Sequence, residues 1–286
     1  MAELISVIVT TYQRPDALAA VLRGLGEQTD RDFEVVVADD GSGPETATVV
    51  ATWQDTIPVV EHVWQENKGF RAAAIRNRAV IQSRGAICIF LDGDCIPRPD
   101  FVAQHRRLLE PGWFVAGNRI LLSPELTEEI LQGELTAEQW TFGEWLSLRR
   151  QGRINRIAPF LSLPLGPLRK LEARRWRGAR SCNLAIRRDD LDRVDGFDQA
   201  FTGWGLEDSD LIVRLIKSGA RRKDGRFATG VLHLWHPHSD RSQLSDNQKK
   251  LDTVIAGTRF TAIEGLSALV ESAAVSSSRA AAQERS

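Results

Sequence analysis

Along the first 120 residues, apolar runs of strand length take turns with stretches of helical spacing. LISVIVTTY is a continuous apolar, β-branched run, the pattern of a parallel strand covered on both faces. Pro15 and Asp16 then signal a helix through ALAAVLRGLGEQ. DFEVVVADDGS predicts a second strand ending in acids, PETATVVATWQ a second helix, and IPVVEHVWQ a third strand. NKGFRAAAIRNRAVIQSRG predicts a helix opened by a Lys68-Gly69 turn and closed at Gly85. AICIFLDGDC predicts the fourth strand, VAQHRRLLE a helix and WFVAGNRILL one further strand. This alternation predicts an α/β fold: a doubly wound, mostly parallel sheet flanked by helices, with ligands beyond the carboxyl ends of the strands.

Residues 124–176 break the rhythm. ELTEEILQGELTAEQWTFGEWLSLRR reads as one helix, with Trp140 and Trp145 five apart, and APFLSLPLGP is apolar and punctuated by prolines. The basic RKLEARRWRGAR follows, so the region predicts a helical, basic insertion over the rim of the sheet. Order returns with SCNLAIRRDDLDRVDGFD, FTGWGLEDSDLIVRLIKSGA and GVLHLWHPHSD. The tail from about 272 is small and polar and is expected to fray.

Composition narrows the class. The chain has 286 residues, 42% of them hydrophobic and 26% charged, as in globular proteins, with a net charge of −1. That balance argues against a nucleic-acid partner. Charge is uneven, however: Arg149, Arg150, Arg153, Arg156, Arg169, Lys170, Arg174, Arg175, Arg177 and Arg180 meet Glu172 alone. With Leu161, Leu163, Leu165 and Trp176, this stretch (149–180) reads either as a peripheral membrane contact or as a lid or oligomer contact. Cys88, Cys95 and Cys182 form no CxxC pair and read as free thiols. MAELISVIVTTYQR carries no basic leader, and no apolar run reaches membrane-spanning length. A cytoplasmic location, at the inner face of the membrane if the basic stretch contacts it, is the expectation.

Three strands end in polar chemistry at one edge: Thr10-Thr11-Tyr12, Asp39-Asp40-Gly41 and Asp92-Gly93-Asp94. One acid at a strand end is an ordinary turn residue, but three such ends at one rim make a site. No GxGxxG or GxxxxGK[ST] follows the first strand, so a phosphate cradle is missing there. The Asp92/Asp94 pair instead offers two hard oxygen donors to one cation.

These blocks, in order, resemble the inverting glycosyltransferases of family 2, which have the GT-A (Rossmann-like) fold. VIVTTYQRPD, VVVADDGS, NKGFRAAAIRNRAV and IFLDGDCIPRPDF are similar to that family's successive blocks, the last to its metal-binding DxD. GWGLEDSDLIVRL and HLWHP resemble the galactosyltransferase-like region of chondroitin-polymerase-type enzymes and animal β-1,4-galactosyltransferases. The resemblance covers about 4–118 and 178–250 and implies a nucleotide-sugar-binding half (1–118), an insertion (119–177), an acceptor and catalytic half (178–250) and a C-terminal helix and tail (251–286). It also implies roles. Thr10, Tyr12 and Asp40 hold the base of a UDP-sugar donor, Asp92 faces ribose and metal, and Asp94 binds Mn2+ or Mg2+. Asp208 is the catalytic base beside Glu207, and His233 or His236 completes the metal shell, His233 being favoured because it follows the strand GVL.

Other residues are weighed on their own pattern. Arg14, Lys68, Arg71 and Arg76 lie on or near the donor blocks and are candidates for nucleotide or phosphate contact, against the simpler reading of a solvated face. Trp204, flanked by Gly203 and Gly205, suits stacking on an acceptor sugar, with Gly205 and Glu207 beside it. Acids at 207–210 also suit a helix N-terminus, and the two readings are compatible. Asp210 reads as a first-turn acid, His62 and His238 as surface residues, His105 as a helix-face residue, and Asn183 as part of a strand on the acceptor side. The implied function is metal-dependent, inverting sugar transfer to a glycan or lipid-linked acceptor in bacterial surface polysaccharide or lipopolysaccharide synthesis. A nucleotidyltransferase of similar sheet topology and a non-catalytic sugar-binding or assembly module are the alternatives. Donor sugar, linkage and oligomeric state are not legible in the residues.

Overall fold

The computed structural model describes residues 3–133, 135, 140–157, 161–237 and 240–272. His238 and the tail from 273 lie outside the described residues. The first half follows the apolar pattern: β1 (Ile5–Thr11), α1 (Pro15–Gly26), β2 (Phe33–Asp39), α2 (Pro44–Ala51), β3 (Val60–Trp64), α3 (Ala72–Gln82) and β4 (Ile87–Asp92). Strands β1 to β4 pair in parallel in the order β3-β2-β1-β4. Their register sets Thr10 against Asp92 and Thr11 against Asp39, so the polar ends of three strands share one edge.

Alternation within each strand feeds two cores. Val7, Val9, Val35, Val37, Ile89 and Leu91 pack with Leu18, Leu22 and Leu25 of α1. Ile8, Val36 and Phe90 face the other way, toward Ala73 and Ile75 of α3. Both faces are covered, which is why these strands read as continuous rather than alternating apolar runs.

Two expected strands are each split at a glycine. β4 stops at Asp92, and β5 (Cys95–Pro97) belongs to a second, three-stranded sheet. The amide of Gly93 donates to Thr10 O at 2.7 Å, and a Cβ there would lie 2.9 Å from that oxygen. After α4 (Phe101–Leu108), the run WFVAGNRILL divides into β6 (Trp113–Ala116) in the large sheet and β7 (Arg119–Leu121) in the small one. Between them, a Cβ on Gly117 would sit 2.2 Å from Asn183 Cγ. Close backbone approach, not turn propensity, makes both breaks.

The helix expected over 125–150 is two helices. α5 (Pro124–Leu131) is capped by Ser123 and is followed by Gly133 at φ +78°; α6 (Phe142–Arg150) opens on a capping box between Thr141 and Glu144. Leu126, Ile130, Trp145, Leu148 and Ile154 are buried in the same core as α1, so this stretch completes that core rather than lying over the rim. A short 3-10 turn at Gly166–Lys170 follows.

The last third supplies β8 (Asn183–Arg187), α7 (Arg188–Arg193), α8 (Glu207–Lys217), β9 (Arg221–Asp224), β10 (Val231–His233) and α9 (Leu244–Ala256). The large sheet runs β3-β2-β1-β4-β8-β6-β9, with β8 antiparallel to both neighbours; the small sheet runs β5-β10-β7. Asp210 is the expected first-turn acid of α8, wholly buried and paired with Arg214 at 2.8 Å, and Arg214 also donates to Val194 O and Gly196 O. His105 is likewise buried, 3.0 Å from Asn183 Oδ1. His62 is not a free surface residue either, lying 3.0 Å from Asp39. Among the described residues no helix is long and apolar enough to cross a membrane.

Candidate active site

A cavity of about 630 Å³ opens where the two sheets meet. The ends of β1 and β4 contribute Thr10, Tyr12, Asp92 and Asp94; the first turn of α8 contributes Glu207 and Asp208; β10 and the residues after it contribute His233 and His236. Of the expected site residues, Arg14, Asp40, Arg76, Trp204 and Gly205 also line it. Lys68 does not: it pairs with Glu66 at 2.8 Å, well exposed. The side chain of Arg71 turns to the carbonyl of Glu66, and it is the Arg71 backbone amide that meets Asp40 Oδ2, at 2.7 Å.

The acid pair is placed by the break at Gly93. Asp92 ends β4 in sheet register, and Asp94 lies past the turn, its carbonyl accepting from Leu234 N at 2.9 Å. That bond ties Asp94 to the chain just after β10, where the histidines lie. Asp94 Oδ2 is 3.3 Å from His236 Nε2 and 3.7 Å from His233 Nε2. Both candidate histidines therefore converge on one carboxylate, the less favoured His236 more closely. Burial lowers the His233 pKa, keeping the ring neutral and available as a ligand. One carboxylate oxygen and two imidazole nitrogens on a cavity wall fit a divalent transition-metal ion. Cys95 Sγ also lies in a cluster with Asp94 and His233.

Asp208 and Glu207 are aimed by a strained approach. Gly203, Gly205 and Leu206 have positive φ (+70°, +104° and +75°), and Asn247 donates to the carbonyls of Thr202 and Gly205 at 3.0 Å each. For Leu206 this conformation is costly, so the surroundings must enforce it. Glu207 Oε1 accepts from Arg76 at 3.0 Å, while Glu207 Oε2 is buried with no hydrogen-bond partner among the described residues. Burial and the neighbouring Asp208 raise the Glu207 pKa, with Arg76 opposing. Asp208 Oδ2 lies 3.8 Å from Arg180.

Two family patterns cover the residues of this constellation. The sequence pattern of Glycosyl transferase family 2 matches residues 6–165. The chain belongs to that family. The pattern described as the N-terminal domain of galactosyltransferase matches residues 170–236. The chain is 30% identical over 243 residues to validoxylamine A glucosyltransferase of Streptomyces hygroscopicus subsp. jinggangensis, covering 80% of this chain and 55% of that protein. It is 27% identical over 247 residues to chondroitin synthase of Escherichia coli, covering 78% of this chain and 34% of that protein. It thus spans about half the length of the first relative and a third of the second. In fold it is similar to the mannosyltransferase PcManGT of Pyrobaculum calidifontis, solved with GDP-Man and Mn2+ (TM-score 0.54, 21% identity, covering 82% of this chain and 57% of that one). It is also similar to S. aureus TarS 1–349 solved with UDP (TM-score 0.57, 16% identity, covering 88% and 64%). The expected GT-A architecture is confirmed by these neighbours.

Four cavity residues of this family 2 chain escaped sequence reasoning. Arg119, at the start of β7, lines the cavity with its Nη1 3.8 Å from Cys182 Sγ, its one hydrogen bond among the described residues. Burial works against its charge, but Cys182, Cys95, Asp92 and Asp94 around it raise its pKa. Arg180, exposed Trp235 and Arg241, which stacks 4.9 Å over Trp204, complete the rim. A charged residue inside the strand-like run GNRILL was the available signal for Arg119; nothing distinguished Arg180 within its basic stretch.

Arg76 is no solvated helix-face residue. It is buried and donates to Thr10 Oγ1 (3.0 Å), Glu207 Oε1 (3.0 Å) and Asp92 Oδ1 (3.1 Å). Asp40 is buried too, its carboxylate already accepting from Gln65 and the Arg71 amide, and burial raises its pKa despite those bonds.

Proposed function

We propose that this protein is a metal-dependent, inverting transferase that moves a sugar from a UDP-sugar to a glycan or lipid-linked acceptor in bacterial surface polysaccharide or lipopolysaccharide synthesis. The observation that carries the reading is a single cavity lined by both a convergent Asp94–His233–His236 set and a carboxylate, Asp208, delivered separately on a helix N-terminus. Direct displacement at an anomeric carbon requires those two functions in different places.

Asp94, His233 and His236 would hold Mn2+ or Mg2+, with Asp92 beside them. Bound there, the cation supplies positive charge to the donor's diphosphate. Asp208 takes the proton of the acceptor hydroxyl as its oxygen bonds to the anomeric carbon; the bond to the diphosphate breaks and its electron pair leaves on that group. Arg119, beside the acid pair, donates hydrogen bonds to the departing charge. Asp40, Thr10 and Tyr12 receive the nucleoside. Trp204 offers an apolar face to the acceptor ring, and the unpartnered Glu207 Oε2 accepts from an acceptor hydroxyl. A nucleotidyltransferase would need a phosphate loop after β1, and here Gln13, Arg14 and Pro15 lead straight into α1.

Calorimetric titration of UDP with Mn2+, then with EDTA, tests the reading on wild type and Asp94→Ala. Binding that requires both the metal and Asp94 supports it. Metal-independent binding, or none, overturns the donor assignment.

A further inference from the structure

The 3-10 turn at Gly166–Lys170 lies along the edge strand β9 and presents leucines to water. Leu165, Leu168 and Leu171 recur every third residue, and side chains at that spacing eclipse on a 3-10 turn, forming one ridge. Leu168 is 60% exposed and Leu171 77%, with Leu163 beside them at 42%. The buried guanidinium of Arg169, on another face of the turn, donates to the carbonyls of Leu163 (2.9 Å), Asp224 (2.8 Å) and Arg226 (2.5 Å). Arg222 N binds Ala173 O at 2.8 Å, securing the other end to β9. The ridge is held outward by backbone and buried charge.

Cations surround it. Arg174, Arg175 and Arg177 are exposed, Arg175 paired with Glu172, while Lys170 turns to Glu110 and the Trp113 ring. Trp176, grouped with the leucines in the sequence reading, packs against buried residues instead. Rigid apolar side chains ringed by basic ones suit a layer that is apolar inside and anionic at its surface. A second copy would bring the same cations against each other.

We propose that the exposed Leu168–Leu171 part of the ridge, with Leu163 beside it, and the flanking cations dock this protein on an anionic lipid bilayer. The leucines enter the acyl boundary, and Arg174, Arg175 and Arg177 meet lipid phosphates. The turn ends ten residues before Arg180, which lines the cavity.

The test is co-sedimentation of the full chain with vesicles of phosphatidylcholine plus phosphatidylglycerol, and of phosphatidylcholine alone, at low and high salt. Binding is expected only to the anionic vesicles and is weakened by salt. The double variant Leu168→Ser/Leu171→Ser lowers it at least roughly tenfold, and Arg174→Gln/Arg175→Gln lowers it roughly 30-fold. Unchanged circular-dichroism melting shows that both variants fold. Equal binding to both vesicle types, no binding, or variants that bind like wild type overturn the proposal. So does a wild-type dimer that Leu168→Ser/Leu171→Ser converts to monomer, since the ridge then belongs to a protein interface.

Discussion

Arg76 on α3 lies 3.0 Å from Glu207 on α8, a buried ion pair between residues 131 apart in the chain. It fastens the donor-side helix to the turn that carries Asp208. Glu207 Oε2 has no side-chain or backbone partner among the described residues, and Arg76 is the cation that holds the carboxylate's charge.

Arg76→Met should therefore destabilise the protein by about 3–5 kcal/mol at neutral pH, the cost of stranding one buried charge. Because the folded pKa of Glu207 is already raised, the deficit shrinks as pH falls through that raised value and Glu207 takes a proton. Adding Glu207→Gln should recover much of the loss. Urea denaturation of the single and double variants at two pH values measures both effects, and an unchanged midpoint for Arg76→Met would remove the pair from the account.

Asp208→Asn should lower kcat by roughly 10²–10⁴, the usual worth of a positioned general base. UDP affinity should stay near wild type, because the change touches the acceptor's proton and not the donor. Single-turnover kinetics beside calorimetry separates the two. Retained turnover would exclude Asp208 as the base.

His233→Ala and His236→Ala should each weaken Mn2+ binding by at least the roughly 10–100-fold lost when only an outer-shell partner is removed. The nearly equal approach of both rings to Asp94 argues that neither is dispensable. Metal titration followed by paramagnetic relaxation of water gives the affinities. If one variant binds as wild type, that histidine is a neighbour and not a ligand.

Burial lowers the His105 pKa to about 4 from 6.5. The unfolded chain then binds the extra proton first, so stability is lost as pH falls from about 6.5 toward 4 and is intact above that window. The loss is of order 3 kcal/mol. His105→Gln, which can keep a donor toward Asn183, should show that much less acid sensitivity in denaturant melts between pH 7 and pH 4. Parallel pH curves for the two proteins would count against it.

The chain's own pattern determined the parallel core, because strands covered on both faces must be apolar at nearly every position, and LISVIVTTY, FEVVVAD and ICIFLD say so without reference to anything distant. It also exposed Asp92 and Asp94, since acids at the end of a buried run need a reason, while Glu207 and Asp208 stood out through the family resemblance. What it could not show was where close backbone contacts cut an apolar run. Gly93 and Gly117 look like ordinary strand residues until Thr10 O and the side chain of Asn183 occupy the space where a Cβ would be. Only the folded chain gathers Arg76, Thr10, Asp92 and Glu207 into one buried network, brings His236 as well as His233 to Asp94, and puts Arg119 in the cavity wall. It alone separates Arg169, buried on three carbonyls, from the exposed arginines of the same basic stretch. Periodicity records whether a residue is covered; which distant groups cover it is decided by tertiary contacts that no local spacing encodes.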